Sequence, residues 1–169
     1  YSFNNGISSR RGRGSGNIIY LNDDDEESLP DYTKYGIDFL FKYKGFSMIG
    51  EFVKSTASVS NDITQRVRND GSISSSFEVN GIQDVKNYVK GRMMLGEGYN
   101  LQAGYLFRNL ISVDARYTHL KADEHSFLNN GTFYNRPNYY TFGISKYLER
   151  NYGAKVQASF TYIDAAPGS

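Results

Sequence analysis

The feature that most limits what this chain can become is a period-two alternation, sustained over long runs. Successive side chains of a strand point to opposite faces, so every second residue shares an environment. From Tyr35 to Lys44, the residues Tyr35, Ile37, Phe39, Phe41 and Tyr43 share one face, and Gly36, Asp38, Leu40, Lys42 and Lys44 share the other. Beyond Gly45, the residues Phe46, Met48, Gly50 and Phe52 alternate with Ser47, Ile49, Glu51 and Val53, a second face of mixed character. A tight turn at Lys44-Gly45 makes the two runs a hairpin.

Two further hairpins follow. Tyr99, Leu101, Ala103, Tyr105 and Phe107 oppose Asn100, Gln102, Gly104 and Leu106. After a turn at Arg108-Asn109, Ile111, Val113, Ala115 and Tyr117 oppose Ser112, Asp114, Arg116 and Thr118. In the third, Tyr140, Phe142 and Ile144 oppose Thr141, Gly143 and Ser145. A turn around Glu149 to Tyr152 leads into Tyr152, Ala154, Val156, Ala158, Phe160 and Tyr162, set against Gly153, Lys155, Gln157, Ser159 and Thr161.

The pattern predicts an all-β, antiparallel chain with about six strands of roughly ten residues. That is the length a tilted strand needs to cross a bilayer. Strands of soluble domains are usually shorter. Connections inside each hairpin are short, whereas the segments between hairpins, at 55–98 and 119–138, are long and polar. Short turns on one rim and long loops on the other describe outer-membrane barrels, the short turns facing the periplasm. The chain divides accordingly. Residues 1–30 are expected to be a polar extracellular loop carrying the end of a preceding strand, 31–164 the hairpins with their loops, and 165–169 a loop. Within the longest connection, Ile82, Val85 and Val89 are spaced for a short helix.

Alternation also suits a soluble sandwich, so the choice of solvent rests on other features. The chain holds 15 Tyr and 11 Phe but no Trp. Tyr35, Tyr43, Tyr99, Tyr117, Tyr140 and Tyr162 fall near strand ends, where a ring sits in hydrocarbon and its hydroxyl stays wet. With Phe39, Phe41, Tyr105, Phe142 and Phe160 they make the predicted lipid-facing aromatic set. The opposite face carries Asp38, Lys42, Lys44, Glu51, Asp114, Arg116 and Lys155, charges that a dry interior would not tolerate and a water-filled lumen would. A mean hydropathy of −0.56 does not oppose this, because barrel strands alternate and average out as hydrophilic. No segment reaches the ~20 apolar residues of a spanning helix.

In lipid every backbone polar group must be paired, so only closed barrels are viable, and these need about eight strands or more. The six strands visible here do not close. The chain also runs from Asp164 to Ser169 without a terminal aromatic strand. Upstream strands, and one or more downstream, are therefore expected beyond this sequence.

Laid out as strands, the sequence resembles the phosphate-selective porin O and P family. The resemblance is carried by the run from Tyr35 to Phe52 (YGIDFLFKYKGFSMIGEF), by Gly98-YNLQAGYLF ending at Phe107, by Val113-DARYTHL and Tyr140-TFGISKYL, and by Lys155-VQASFTYID. It covers residues 31–164. It implies a 16-stranded outer-membrane barrel of a Gram-negative cell, often trimeric, with a lumen narrowed by infolded loops. It also implies passive passage of small solutes or ions, including anions such as phosphate in some members.

Each candidate site has a plainer explanation beside it. Rings of charge set selectivity in a pore, but the seven polar-face charges mix both signs and would also make a compensated, solvated wall. Arg10, Arg11 and Arg13 could meet lipopolysaccharide phosphates or simply ride a solvated loop. Asp23, Asp24, Asp25, Glu26 and Glu27 lack the spacing of a calcium loop. His119, Asp123, Glu124 and His125 show no recurring ligand spacing, so no metal is expected. No cysteine is present, and net charge is +1, which argues against thiolate chemistry and nucleic-acid partners. No nucleophile elbow, phosphate loop or zinc helix motif appears, and both histidines lie outside the expected wall, so no enzyme and no cofactor is expected. The expected function is a diffusion channel in the outer membrane, self-associating or held with other outer-membrane proteins. The alternative is a structural or accessory barrel whose long loops make contacts. A soluble β-module is the third possibility.

Overall fold

The computed structural model describes residues 2–4, 9–10, 17–68, 70–126, 137–150 and 153–164. The chain is mostly antiparallel β-sheet with almost no helix. Its main sheet has seven strands, labelled β1 (Ser2–Asn4), β2 (Asp31–Tyr43), β3 (Phe46–Ser58), β4 (Gly96–Leu106), β5 (Ile111–Ala122), β6 (Asn138–Tyr147) and β7 (Lys155–Asp164). They lie side by side in that order, so each long strand pairs with its sequence neighbours. The short β1 pairs with the start of β2, Ser2 opposite Lys34.

Local chemistry fixes the hairpins. Lys44 and Gly45 have φ of +45° and +90°, the two left-handed residues of a type I′ turn, which matches the twist of the flanking strands. The turn between β4 and β5 closes with Phe107 N–H donating to the Ile111 carbonyl at 2.8 Å and Leu110 N–H to the Phe107 carbonyl at 3.0 Å. Between β6 and β7, Leu148 N–H donates to the Ala154 carbonyl at 2.9 Å. Tyr152 itself, the expected first residue of the last strand, lies outside the described residues, and β7 begins at Lys155.

Two compact units divide the chain. One comprises Gly36–Val53, Glu97–Lys121 and Gly131–Ser169, and is called the wall unit below. The other comprises Tyr1–Tyr35, Lys54–Gly96 and Ala122–Asn130, and is called the loop unit.

The loop unit corrects the expectation of a merely polar connection between residues 55 and 98. Strand pairing extends to Ser58 on one side and begins at Gly96 on the other. Between them, Ile63, Phe77, Tyr88, Val89, Met93 and Leu95 join Tyr20 in a buried core. Phe77 is fully buried, its ring 6.3 Å from Tyr20 and edge-on to Tyr88 at 5.2 Å. Tyr88 also carries the Arg92 guanidinium 3.5 Å from its ring centroid and that of Arg66 at 4.8 Å, a cation–π arrangement that holds both cations against the core. Ser126 is buried, and its hydroxyl donates to the Met93 carbonyl at 2.8 Å while accepting from Leu95 N–H at 2.9 Å.

The expected helix forms over Val85–Lys90, here α1, and buries Tyr88 and Val89. Asp84 is its N-cap, accepting from Asn87 N–H at 3.0 Å, which satisfies one of the unpaired donors of the first turn. Ile82 is not part of the helix. The left-handed pair Asn80 and Gly81 folds Ile82–Gln83 back onto Glu78–Val79, so Ile82 sits on an exposed hairpin and the helix starts only after the cap.

Candidate functional site

The registers of the wall unit sort its side chains into two faces. Tyr117, Tyr140 and Tyr162 stand opposite one another across β5, β6 and β7, as do Ala115, Phe142 and Phe160. Gly104 lies against Asp114, since a Cβ there would fall 3.1 Å from the Asp114 Cβ. Tyr99 stacks on His119 at 5.0 Å, which places both on the tyrosine face. The Phe39 ring covers Gly50, filling the space a side chain would need, and so aligns the aromatic residues of β2 with Phe46, Met48 and Phe52 of β3.

Most Tyr and Phe side chains of the six long strands therefore share one face, and many of its large side chains remain open to solvent. Ile37 keeps 69% of its surface exposed, Phe142 60% and Phe160 67%. Its aromatic residues form two rows. Towards the long connections stand Tyr99, Tyr117, Tyr140 and Tyr162, with successive centroids 5.7, 5.0 and 6.2 Å apart. Towards the short turns stand Tyr43, Phe46, Tyr105 and Phe107, with Tyr105 and Phe107 edge-on at 4.8 Å. Phe39, Phe41, Phe142 and Phe160 fall between the rows. Tyr35 is half-buried and belongs to the loop unit.

Six of the seven expected charges alternate onto the other face, in separate rows of the sheet, whereas Lys44 stands in the left-handed turn beyond the strand and does not follow its parity. Asp38 and Glu51 share the row farthest from the turns, because the two-residue turn pairs Asp38 with Glu51. There Glu51 accepts from the Asn100 side chain at 3.3 Å, and Asn100 accepts in turn from the Thr118 hydroxyl at 3.0 Å. Arg116 stands one row closer to the turns, opposite Thr141, whose hydroxyl is 3.0 Å from that of Thr161. The row closest to the turns of these three reads Lys42, Ser47, Gly104, Asp114, Gly143 and Ser159. Its last three partners are registered directly. The hydrogen bond from Leu106 N–H to the Gly45 carbonyl at 2.8 Å fixes how β4 meets the first turn.

At this last row the wall forms a concavity of about 550 Å³ whose lining includes Lys42, Lys44, Asp114 and Lys155. Four of the seven expected residues are thus brought together, and Asp38, Glu51 and Arg116 are not among them. Lys44 leans over the Tyr43 ring at 5.2 Å. The side chains of Lys42, Asp114 and Lys155 take part in no hydrogen bond or ion pair among the described residues. The lining also includes Ser47, Gln102, Ser112, Ser145 and Gln157. These neutral groups carry no charge to single them out in the sequence, although the parity that picks out Lys42 and Asp114 selects them equally. The polar face is not uniformly polar, since Leu40, Ile49, Val53 and Ile163 lie on it and are exposed.

The remaining candidates separate cleanly. Arg11 and Arg13 lie outside the described residues. Asp23 to Glu27 form an exposed turn organised by Asn22, whose side chain accepts from the backbone N–H of Asp24 at 3.0 Å and of Glu26 at 2.8 Å. His119 is not in a loop. It lies within β5 on the tyrosine face, its Nδ1 2.8 Å from the Asn138 side-chain oxygen, because β5 continues to Ala122. His125 follows in a turn where its N–H donates to Asp123 at 3.0 Å.

No family model, characterised protein or solved structure matches the chain.

Proposed function

We propose that the wall unit is part of the wall of an outer-membrane β-barrel, and that the protein is a porin passing small solutes or ions through a water-filled lumen. One observation carries this. A sheet of long strands keeps a continuous Tyr/Phe/Ile face exposed while its reverse carries Asp38, Lys42, Glu51, Asp114, Arg116 and Lys155. In water such a face is an association surface of a size that monomers rarely leave open. In a bilayer it is the stable arrangement.

The two aromatic rows support the same reading. From Tyr99 to Tyr105 and Phe107 a strand rises roughly 20–27 Å along its own axis, which at a tilt of ~40° is about 15–21 Å along the membrane normal, so both rows fit inside an apolar band ~25 Å tall. Closure takes strands beyond the seven in the sheet, supplied by a longer polypeptide or by further copies. Passage needs no chemistry. The wall removes the dielectric barrier, and the charges facing the lumen grade the solutes.

Detergent-extracted protein in planar bilayers tests the proposal. A porin gives discrete conductance steps and a reversal potential in a salt gradient. A protein that leaves the membrane in alkaline, detergent-free buffer is not a barrel at all. The loop unit, with a buried core of its own, favours a second reading, an accessory barrel that docks other outer-membrane proteins. That barrel inserts stably but gives no steps.

A further inference from the structure

We infer that the concavity at the turn end of the wall is a solute subsite for small zwitterions, molecules of the α-amino-acid class with an ammonium and a carboxylate a few bonds apart. The inference rests on the channel reading and names what that channel selects.

The argument starts from the row Lys42, Ser47, Gly104, Asp114. Opposite charges stand at its two ends, with a hydroxymethyl group and a hydrogen between them. Adjacent strands are ~4.8 Å apart, so the backbones of Lys42 and Asp114 are separated by three such steps. The side chains of Ser47 and Gly104 are too short to fill that span, and the two charges do not meet across it. Asp114 is held in place by what its neighbours lack. Its carboxylate lies over Gly143, where a Cβ would come within 2.7 Å of Oδ2, and Gly104 flanks it on the other side. A side chain at Gly143 would force the carboxylate to shift, and one at Gly104 would crowd the Asp114 Cβ. The side chains of Lys42 and Asp114 have no hydrogen-bond or ion-pair partner among the described residues, in contrast to Glu51, which is already engaged by Asn100.

Solute classes then rank by whether they meet the Lys42 and Asp114 pair with opposite charge at both ends. A simple anion finds Lys42, Lys44 and Lys155 but must also sit beside the Asp114 carboxylate. A simple cation finds Asp114 among three ammonium groups. A neutral sugar can use Gln102, Ser112 and Gln157 but leaves the charges unanswered. A zwitterion sets its carboxylate towards Lys42 and its ammonium towards Asp114, forming charge-assisted hydrogen bonds at both ends.

The test is block of open-channel KCl conductance in planar bilayers, with glutamine, inorganic phosphate and glucose as probes. Glutamine is expected to halve conductance at a lower concentration than either of the others. Asp114→Asn is expected to raise the glutamine half-blocking concentration about tenfold, the loss of one bond to a charged group, while lowering that for phosphate. Lys42→Gln is expected to weaken block by both glutamine and phosphate. Glucose serves as the reference within each variant, so a general change in pore width alters all three probes together and cannot imitate the pattern. Channels that phosphate blocks at an equal or lower concentration than glutamine overturn the zwitterion subsite and leave the porin standing. So does an Asp114→Asn channel with an unchanged glutamine-to-glucose ratio. Absence of any discrete channel in the unmodified protein overturns the porin, and the subsite with it.

Discussion

Phe77 and Phe160 are the same residue type in two opposite situations. Phe77 has no exposed surface, wedged between Tyr20 and Tyr88 in the loop unit, whereas Phe160 keeps 67% of its surface open on the wall. The loop unit solves the ordinary problem of a chain in water. It gathers scattered apolar residues into a centre and lets Asp23 to Glu27 face outward. The wall turns its apolar side chains away from its polar face and, among the described residues, leaves many of them exposed. Burial is thus a property of where a side chain points and what solvent it meets, not of how apolar it is. Mutation in the loop unit should therefore act alike in every medium, whereas mutation on the aromatic face of the wall should depend on the medium it meets.

The largest effect is expected at Phe77. Phe77→Ala empties a fully buried site and should cost the loop unit about 3–5 kcal/mol, in detergent and in lipid alike. Hydrogen exchange read peptide by peptide would report it as lost protection over residues 63–95, with the amides of β5 to β7 unchanged. Loss of protection in both units together would mean that they unfold as one, and the contrast between them would vanish.

Phe41 probes the other solvent. Phe41→Arg on the aromatic face should destabilise the wall by roughly 2–4 kcal/mol in a bilayer, the range for a cation near the midplane. Lys42→Arg, one residue on and facing the other way, should be nearly silent for stability. Denaturant unfolding from phospholipid vesicles measures both. Sensitivity at Lys42 and tolerance at Phe41 would invert the two faces. Tolerance at both would leave the aromatic face in water.

A smaller effect is expected at Gly50, where the Phe39 ring occupies the space of a side chain. Gly50→Val should force that ring aside at a cost of about 1–3 kcal/mol, while Gly71→Ala, in the loop unit, meets no atom within 4 Å of its new Cβ and is strained only by its φ of +81°. Deep loss at Gly50 with retention of the β2–β3 pairing would identify ring displacement as the cause. The same unfolding measurement serves.

The wall was legible because strand parity is a rule of covalent geometry. Once Tyr35 to Tyr43 alternates, every neighbouring run must adopt a compatible phase, and the type I′ turn at Lys44-Gly45 fixes the register. The charges followed from parity too, but their grouping did not. Whether Asp114 stands with Lys42 or with Glu51 depends on the stagger between strands far apart in sequence. The loop unit was largely illegible. Tyr20, Ile63, Phe77 and Leu95 are isolated apolar residues in polar surroundings, with no period to link them, and only long-range packing brings them together. Helix α1 was found through Val85 and Val89, yet its start depended on Asp84 as a cap. Ile82 misled because its apolar side chain belongs to a turn and points outward.

The smallest of these effects is electrostatic and belongs to the loop unit alone. Among its carboxylates that accept hydrogen bonds, three have a pKa shifted by them. Asp62 accepts from the side chains of Ser60 and Ser28, the latter at 2.7 Å, Asp70 accepts from the Ser72 hydroxyl at 2.6 Å and its N–H at 3.0 Å, and Asp84 accepts from Asn87. Each bond favours the charged form, so all three are held below the ordinary carboxylate value. A carboxylate whose folded pKa is depressed binds fewer protons folded than unfolded. Its stabilisation is therefore fully present above the unfolded value of ~3.9 and is lost as pH falls through the lower folded values. The loop unit should lose a small part of its stability as the medium is acidified below that point. Because hydrogen bonds to neutral donors dominate the shifts, added salt should change the effect little. Asp84→Asn is the informative variant, since Asn also caps a helix well but binds no proton in this range. Combined with Asp62→Asn and Asp70→Asn, it should flatten the acid dependence of amide protection in α1 and its neighbours. A dependence that survives all three substitutions would place the acid sensitivity elsewhere in the chain.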